Sequence, residues 1–128
     1  MNSDNSSRIQ RNDFRAKTNY PFWFRKLDIE SAKSIESPWH HCYTLDLSAG
    51  GALISTDLED LAPGDHIEFE LIIPGGPVFG IAKIVRTIEE ERERQLGLMF
   101  VSMAAKDKDR IAQVVLSDGL EKRNNEFS

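Results

Sequence analysis

Apolar and polar residues alternate along most of this chain with the period of two that marks a half-buried strand. Residues 66–73 are clearest: Ile67, Phe69, Leu71 and Ile73 take one face, and His66, Glu68, Glu70 and Ile72 the other. Five more segments read as strands: Tyr20–Leu27, Trp39–Leu47 with Tyr43, Leu45 and Leu47 on one face, Ala52–Ser55, Val78–Ile88 with Gly80 suited to a bulge, and Leu96–Phe100. Turn chemistry separates them. Pro63-Gly64-Asp65 and Pro74-Gly75-Gly76-Pro77 favour turns, residues 28–37 suit a loop or wide hairpin, and Glu89–Arg94 forms a charged hairpin tip. After Val101 the period changes. Ala105 to Leu120 carries good helix formers, with Ile111, Val114, Val115 and Leu116 spaced as a buried stripe, Ser102 as N-cap and Gly119 at the end. Six strands and a terminal helix predict a mainly β fold: a six-stranded antiparallel barrel with a C-terminal α-helix on one opening or side.

At 128 residues the chain is long enough for one domain with its own core. The expected division is an N-terminal arm over 1–10, a barrel domain with its helix over 11–120, and a polar tail over 121–128. A composition of 40% hydrophobic and 29% charged residues is that of an ordinary globular protein. No apolar run approaches the roughly 20 residues of a membrane helix, and the polar start has no signal core, so a cytoplasmic location without membrane insertion is expected. The lone Cys42 has no internal disulfide partner, which agrees with a reducing compartment. The net charge of −5 argues against long nucleic acid as a partner. The charge is uneven, however. Arg8, Arg11, Arg15, Lys17, Arg25 and Lys26 face a single acid, Asp13, between residues 8 and 26. This cationic arm suits either a solvated tail or a grip on a small anion.

Two segments carry candidate chemistry. Arg11-Asn-Asp-Phe-Arg15 sets two guanidiniums four residues apart, able to reach one ligand as planar bidentate donors to phosphate or as stacking planes for purines. Asp46-Leu-Ser48-Ala-Gly50-Gly51 sets a carboxylate, a hydroxyl and a permissive backbone between two strands. A carboxylate matches the N–H edge of guanine; the hydroxyl and amides match phosphate. Taken singly, the first segment also reads as tail and the second as a turn whose Asp and Ser cap their own backbone.

Taken together and in this order, the two segments resemble the PilZ domain, a family that binds cyclic di-GMP. Asp-Leu-Ser-Ala-Gly-Gly-Ala-Leu-Ile, Pro-Gly-Asp before a strand, Ala-Lys-Ile-Val-Arg and Leu-Gly-Leu-Met-Phe extend the resemblance over residues 8 to 120. It implies a split-barrel type of β-barrel that carries cyclic di-GMP as ligand and needs no cofactor. Arg11 and Arg15 would grip phosphates and guanines, and Asp46, Ser48 and Gly51 would meet the ligand from the barrel. Gly50 would stand nearby, and Arg86, on its long strand, reads either as a lining of the ligand site or, better, as the cross-strand partner of a nearby acid. Many members carry a further arginine just before the first motif arginine. Gln10 stands there in this chain and Arg8 is the nearest basic substitute, which bears on whether one ligand or a stacked pair is held. The pattern looks most like the C-terminal module of flagellar-brake type proteins. It implies a non-enzymatic receptor that orders its arm on binding and signals to a protein of the motility, pilus or exopolysaccharide machinery. The alternative is a PilZ-like protein-interaction module that works without ligand.

Other chemistry is poorly supplied. His40 and Cys42 share a strand face, but His66 is the only other distant histidine and a full metal set is missing. Ser48 lacks a Gly-x-Ser-x-Gly elbow, and Gly75–Gly80 precedes no helix, so neither a hydrolase nor a dinucleotide loop is indicated. Trp23 and Trp39 are expected in the core or at the barrel rim.

Overall fold

A computed structural model describes residues 15–28, 30, 33–34, 38–58 and 60–127, with side chains at all of these except 33–34 and 120–127. Its strands are β1 (Arg15–Lys17), β2 (Pro21–Asp28), β3 (Lys33–Ser34), β4 (His40–Ser48), β5 (Gly51–Thr56), β6 (His66–Ile73), β7 (Gly76–Glu89) and β8 (Arg94–Met103). One helix, α1 (Ala105–Phe127), follows them. Each antiparallel neighbour runs in the order β4-β5-β8-β7-β6-β2, and a β2–β4 pairing closes these six strands into a barrel. The two short strands flank it, β3 beside β2 and β1 beside β4.

Aromatic and branched side chains fill the interior. Phe22, Phe24 and Phe69 are fully buried, Phe22 stacking on Phe69 with ring centroids 5.4 Å apart, among Leu47, Ile54, Ile67, Leu71, Ile84 and Leu96. In β6 the alternation is strict, as its sequence predicts. In β7 the close approach that Gly80 permits is real: a Cβ there would meet Ser102 O at 2.5 Å and the Phe69 ring at 2.9 Å. The register slips nearby at Ile81/Ala82 and again at Ile84/Arg86.

Strand β4 departs from the simple pattern. Cys42 and Thr44 point inward and Tyr43 points out, so unbroken alternation would drive Asp46 into the core. A slip in the β4–β5 register between Thr44 and Asp46 prevents this. The extra residue, Leu45, resets the phase, so Leu47 turns inward and Asp46 outward. Tyr43, Leu45 and Leu47 therefore do not share a face.

β1 and β2 form one interrupted strand along the same edge of β4. At the break, the buried Thr44 hydroxyl accepts the Tyr20 N–H at 3.0 Å and lies 2.6 Å from the Thr18 hydroxyl. Thr18 N–H reaches Leu45 O and Thr44 N–H reaches Tyr20 O. The backbone groups freed by the interruption are thereby satisfied.

The helix starts at Ala105, as its sequence predicts, but Ser102 does not cap it and it runs past the expected end at Leu120. Ser102 lies in β8 opposite Ile81, and it is the Ala104 carbonyl that accepts from Asp107 and Lys108 N–H. Gly119 lies inside the helix. Ile111 and Val115 are buried and Val114 packs against the core, but Leu116 is 55% exposed, a turn position away from that stripe. Helix α1 lies beside β1 and β4. Arg110 pins it to the β6–β7 turn, donating to Gly76 O at 2.7 Å and Pro77 O at 3.3 Å. That turn needs glycine, since Gly75 and Gly76 have φ of 96° and 127°. At the other end of the described helix surface, the Tyr20 hydroxyl donates to Asp118 at 2.6 Å.

Candidate functional site

The β1–β4 ladder brings the two sequence segments together. Arg15 stands opposite Ser48, Ala16 opposite Leu47 and Lys17 opposite Asp46. Ala16 and Leu47 face the core, so Arg15, Lys17 and Asp46 face outward. Arg15 donates to Asp46 Oδ1 at 2.7 Å. Both groups remain accessible, with 44% and 23% of the side-chain surface exposed.

Ser48 is placed differently from an open ligand contact. It is fully buried, its oxygen accepting the Gly51 N–H at 3.1 Å and its hydroxyl donating to Gly51 O at 3.3 Å. Its role here is to close the turn from β4 to β5. Gly50 is exposed in that turn, and its carbonyl accepts the Phe100 N–H at 2.8 Å, tying the turn to β8. Gly51 opens β5 against β8 so closely that a Cβ would lie 2.0 Å from Leu98 O. Arg8, Gln10 and Arg11 lie outside the described residues.

Arg86 joins the same outer wall. The cross-strand row runs from Arg86 on β7 through Gly97 on β8 and Leu53 on β5 to Asp46 on β4. Arg86 forms no ion pair with a described residue; its chain lies flat over Gly97, where a Cβ would meet its Cγ at 2.7 Å. The next row runs from Lys83 through Met99 to Gly51. Lys83 was not among the residues that sequence reasoning singled out, although the alternation of Ala82 and Ile84 inward would have placed it outward. The wall thus has cations along both edges, Arg15 and Lys17 on β1 and Lys83 and Arg86 on β7. Between them lies a low floor of Gly51, Leu53, Gly97 and Met99. Four strand spacings of about 4.8 Å separate the edges. Such a surface can hold a flat, doubly anionic ligand between opposed donors, over a floor of glycines, Leu53 and the half-exposed Met99.

Nucleophilic chemistry is not prepared in the described residues. Cys42 points into the barrel, and burial pushes its thiol up to about 12. His40 packs its ring at 5.6 Å from Phe24. Trp23 and Trp39 lie on the outer wall, not in the core, at 38% and 39% exposure.

A closed antiparallel barrel with an outer basic strand and a serine-closed Gly-Gly turn defines a class of small β-barrel domains. A family model described as PilZ domain matches residues 9–117, and the chain belongs to that family. A search of curated proteins gives no significant match. Among solved structures, the Bacillus subtilis inhibitor of motility MotI/DgrA superposes with a TM-score of 0.74 at 17% identity, over 88% of this chain and 53% of that one. The PilZ domain of YcgR from Escherichia coli, solved with c-di-GMP, gives 0.65 at 17% identity over 93% and 98%. The K. pneumonia MrkH–c-di-GMP complex gives 0.69 at 19% identity over 90% and 54%. At these identities the likeness speaks for the fold alone. This chain spans about half the length of MotI and MrkH. No described helix is long and apolar enough to cross a membrane.

Proposed function

We propose that this domain is a non-enzymatic receptor for cyclic di-GMP, which it binds on the outer wall of β4, β5, β8 and β7. The observation that carries the reading is the β1–β4 register. It sets Arg15, the second arginine of the arm motif, against Asp46 and the Ser48–Gly51 turn. PilZ membership and the c-di-GMP in the YcgR and MrkH structures support the same ligand class.

In this reading Arg11 and Arg15 take the ligand's two phosphates and stack on its guanines. Asp46 accepts from a guanine N1–H and 2-amino edge. Gly50 and Gly51 offer backbone at close range, and Ser48 acts indirectly by holding their turn. Arg86 meets the ligand from the far edge, and Arg8 and Gln10 decide whether a second ligand stacks on the first. Binding favours the arm closed over the barrel, which shifts the population toward one surface for a cytoplasmic protein partner.

Each charge-assisted hydrogen bond contributes about 1.5–3 kcal/mol. Loss of one arginine therefore costs about ten- to a hundredfold in affinity. Calorimetric titration of cyclic di-GMP into the wild type, Arg11→Ala and Arg15→Ala tests this. Saturable binding in the wild type that is lost in both variants is expected, and the molar ratio reports one ligand or a pair. Absence of heat and of thermal stabilisation in the wild type overturns the receptor reading. That result favours the second reading, a ligand-independent interaction module, for which the internal pairing of Arg15 with Asp46 and of Ser48 with Gly51 is the supporting observation.

A further inference from the structure

The opposite wall of the barrel carries an aromatic surface that the nucleotide site does not use. Trp23, His41 and Tyr43 form a ladder across β2 and β4, with ring centroids 4.5 Å apart for Trp23–His41 and 4.9 Å for His41–Tyr43. In the same cross-strand row, Phe79 on β7 lies 59% exposed beyond Glu70. Below it the Arg25 guanidinium stacks on Trp39, 4.6 Å from the ring centroid. Large rings at half exposure on a regular sheet face, none needed for the core, are the composition of interface centres and not of inert surface.

The surface continues into a groove of about 460 Å³ between β4 and the β7–β8 hairpin. His41 and Tyr43 form one wall; Asp57, Arg92 and Glu93 line the other. That hairpin is acidic, with Glu89, Glu90, Glu91 and Glu93 against Arg92 and Arg94. Arg94 is already committed, to Glu89 at 2.9 Å and to the carbonyls of Leu58 and Leu61. Glu70, half-buried between Phe79 and Trp23 in the row, forms no ion pair with a described residue.

We infer that this face, from Phe79 across the Trp23–His41–Tyr43 ladder to the acidic hairpin, docks a protein segment that alternates apolar and basic side chains. Rings receive its apolar positions, and the carboxylates of Glu70, Asp57 and the hairpin receive its ammonium or guanidinium groups. The same acidic rim repels phosphate-bearing partners, which argues against nucleic acid or an anionic bilayer here. A second copy of the chain would bring its own acidic rim to the contact. The inference rests on the receptor reading only for the output this surface would serve.

Both tryptophans of the chain lie on this face, so their emission reports its occupancy. The probe is a synthetic peptide of alternating lysine and leucine, with a glutamate–leucine peptide as control. The expected result is a saturable emission change with the lysine peptide only. It weakens at least tenfold in Tyr43→Ala and in the double variant Glu91→Lys/Glu93→Lys, and is unchanged in the helix variant Asp109→Lys. Arg15→Ala keeps this response while losing nucleotide, and Tyr43→Ala keeps nucleotide binding, so the two readings fail separately. No emission change, equal response to both peptides, equal loss in Asp109→Lys, or an emission change produced by protein concentration alone with a dimer in sedimentation overturns the inference.

Discussion

Arg15 faces Ser48 across the β1–β4 ladder, yet its guanidinium reaches diagonally to Asp46, 2.7 Å away. Diagonal neighbours on one face are about 7–8 Å apart at the backbone, within reach of a long side chain. The pair joins β1 to the strand that carries the second motif, and in the proposed receptor it would be shared with or exchanged for the bound ligand.

Because both partners are partly exposed, the pair contributes little to stability, on the order of 0.2–1 kcal/mol. Asp46→Asn and Arg15→Ala are therefore expected to melt within a few degrees of wild type while losing cyclic di-GMP affinity by about ten- to a hundredfold. Thermal melts alongside calorimetry separate the two effects. A variant that unfolds instead would show the pair to be structural.

Thr44→Val keeps the shape but removes the hydroxyl that receives the Tyr20 N–H. The half-buried Tyr20 amide loses this acceptor inside a buried site, at a cost of about 1–3 kcal/mol. Urea denaturation should show that loss, and hydrogen exchange should show faster opening at Tyr20 and Thr18. Unchanged exchange there would mean that the strand break is satisfied by other means.

Gly51→Ala places a methyl group 2.0 Å from the Leu98 carbonyl oxygen, which is backbone and cannot swing aside. The β5–β8 ladder must shift, at a cost of about 2–3 kcal/mol, toward the upper part of the ordinary range for point variants. Ser48→Ala is expected to be milder, about 1 kcal/mol, through loss of the hydroxyl that closes the same turn. Equal stabilities of the two variants in denaturant titrations would contradict this ranking.

The Cys42 thiol gives the fold an alkaline limit. In the unfolded chain it ionises near its ordinary value of 9.0, whereas burial holds it protonated to about 12 in the folded state. The unfolded state thus binds fewer protons across this interval. The stabilising contribution is whole below pH 9 and is lost as pH rises toward 12, by about 1.4 kcal/mol per pH unit. Stability of wild type and Cys42→Ala measured from pH 8 upward isolates the effect, since the slopes should differ only above pH 9. Parallel curves would mean that the thiol is not buried.

Much of the barrel was legible because strand faces follow a local rule. Ile67, Phe69, Leu71 and Ile73 point inward as their alternation demands. Leu116 escaped the same kind of reasoning, since a run of apolar residues at 114–116 contains one position too many for a single helical stripe. Trp23 and Trp39 are half exposed and not in the core, because ring size does not reveal which face of a strand a neighbour will cover. Ser102 and Gly119 are acceptable helix signals that local packing overrode, β8 pairing claiming the first and the helix running past the second.

By itself the sequence determined the number and order of the barrel strands, the terminal helix, the basic arm and the two motifs that mark the family. These depend on periodicity, on turn residues and on charge, which are written residue by residue. Only the tertiary structure decided that Leu45 forms an extra residue in β4, that Asp46 consequently faces out, and that Arg15 reaches it while Ser48 is buried against Gly51. Those outcomes depend on which strand becomes the neighbour of which, a choice made by burying the whole core at once.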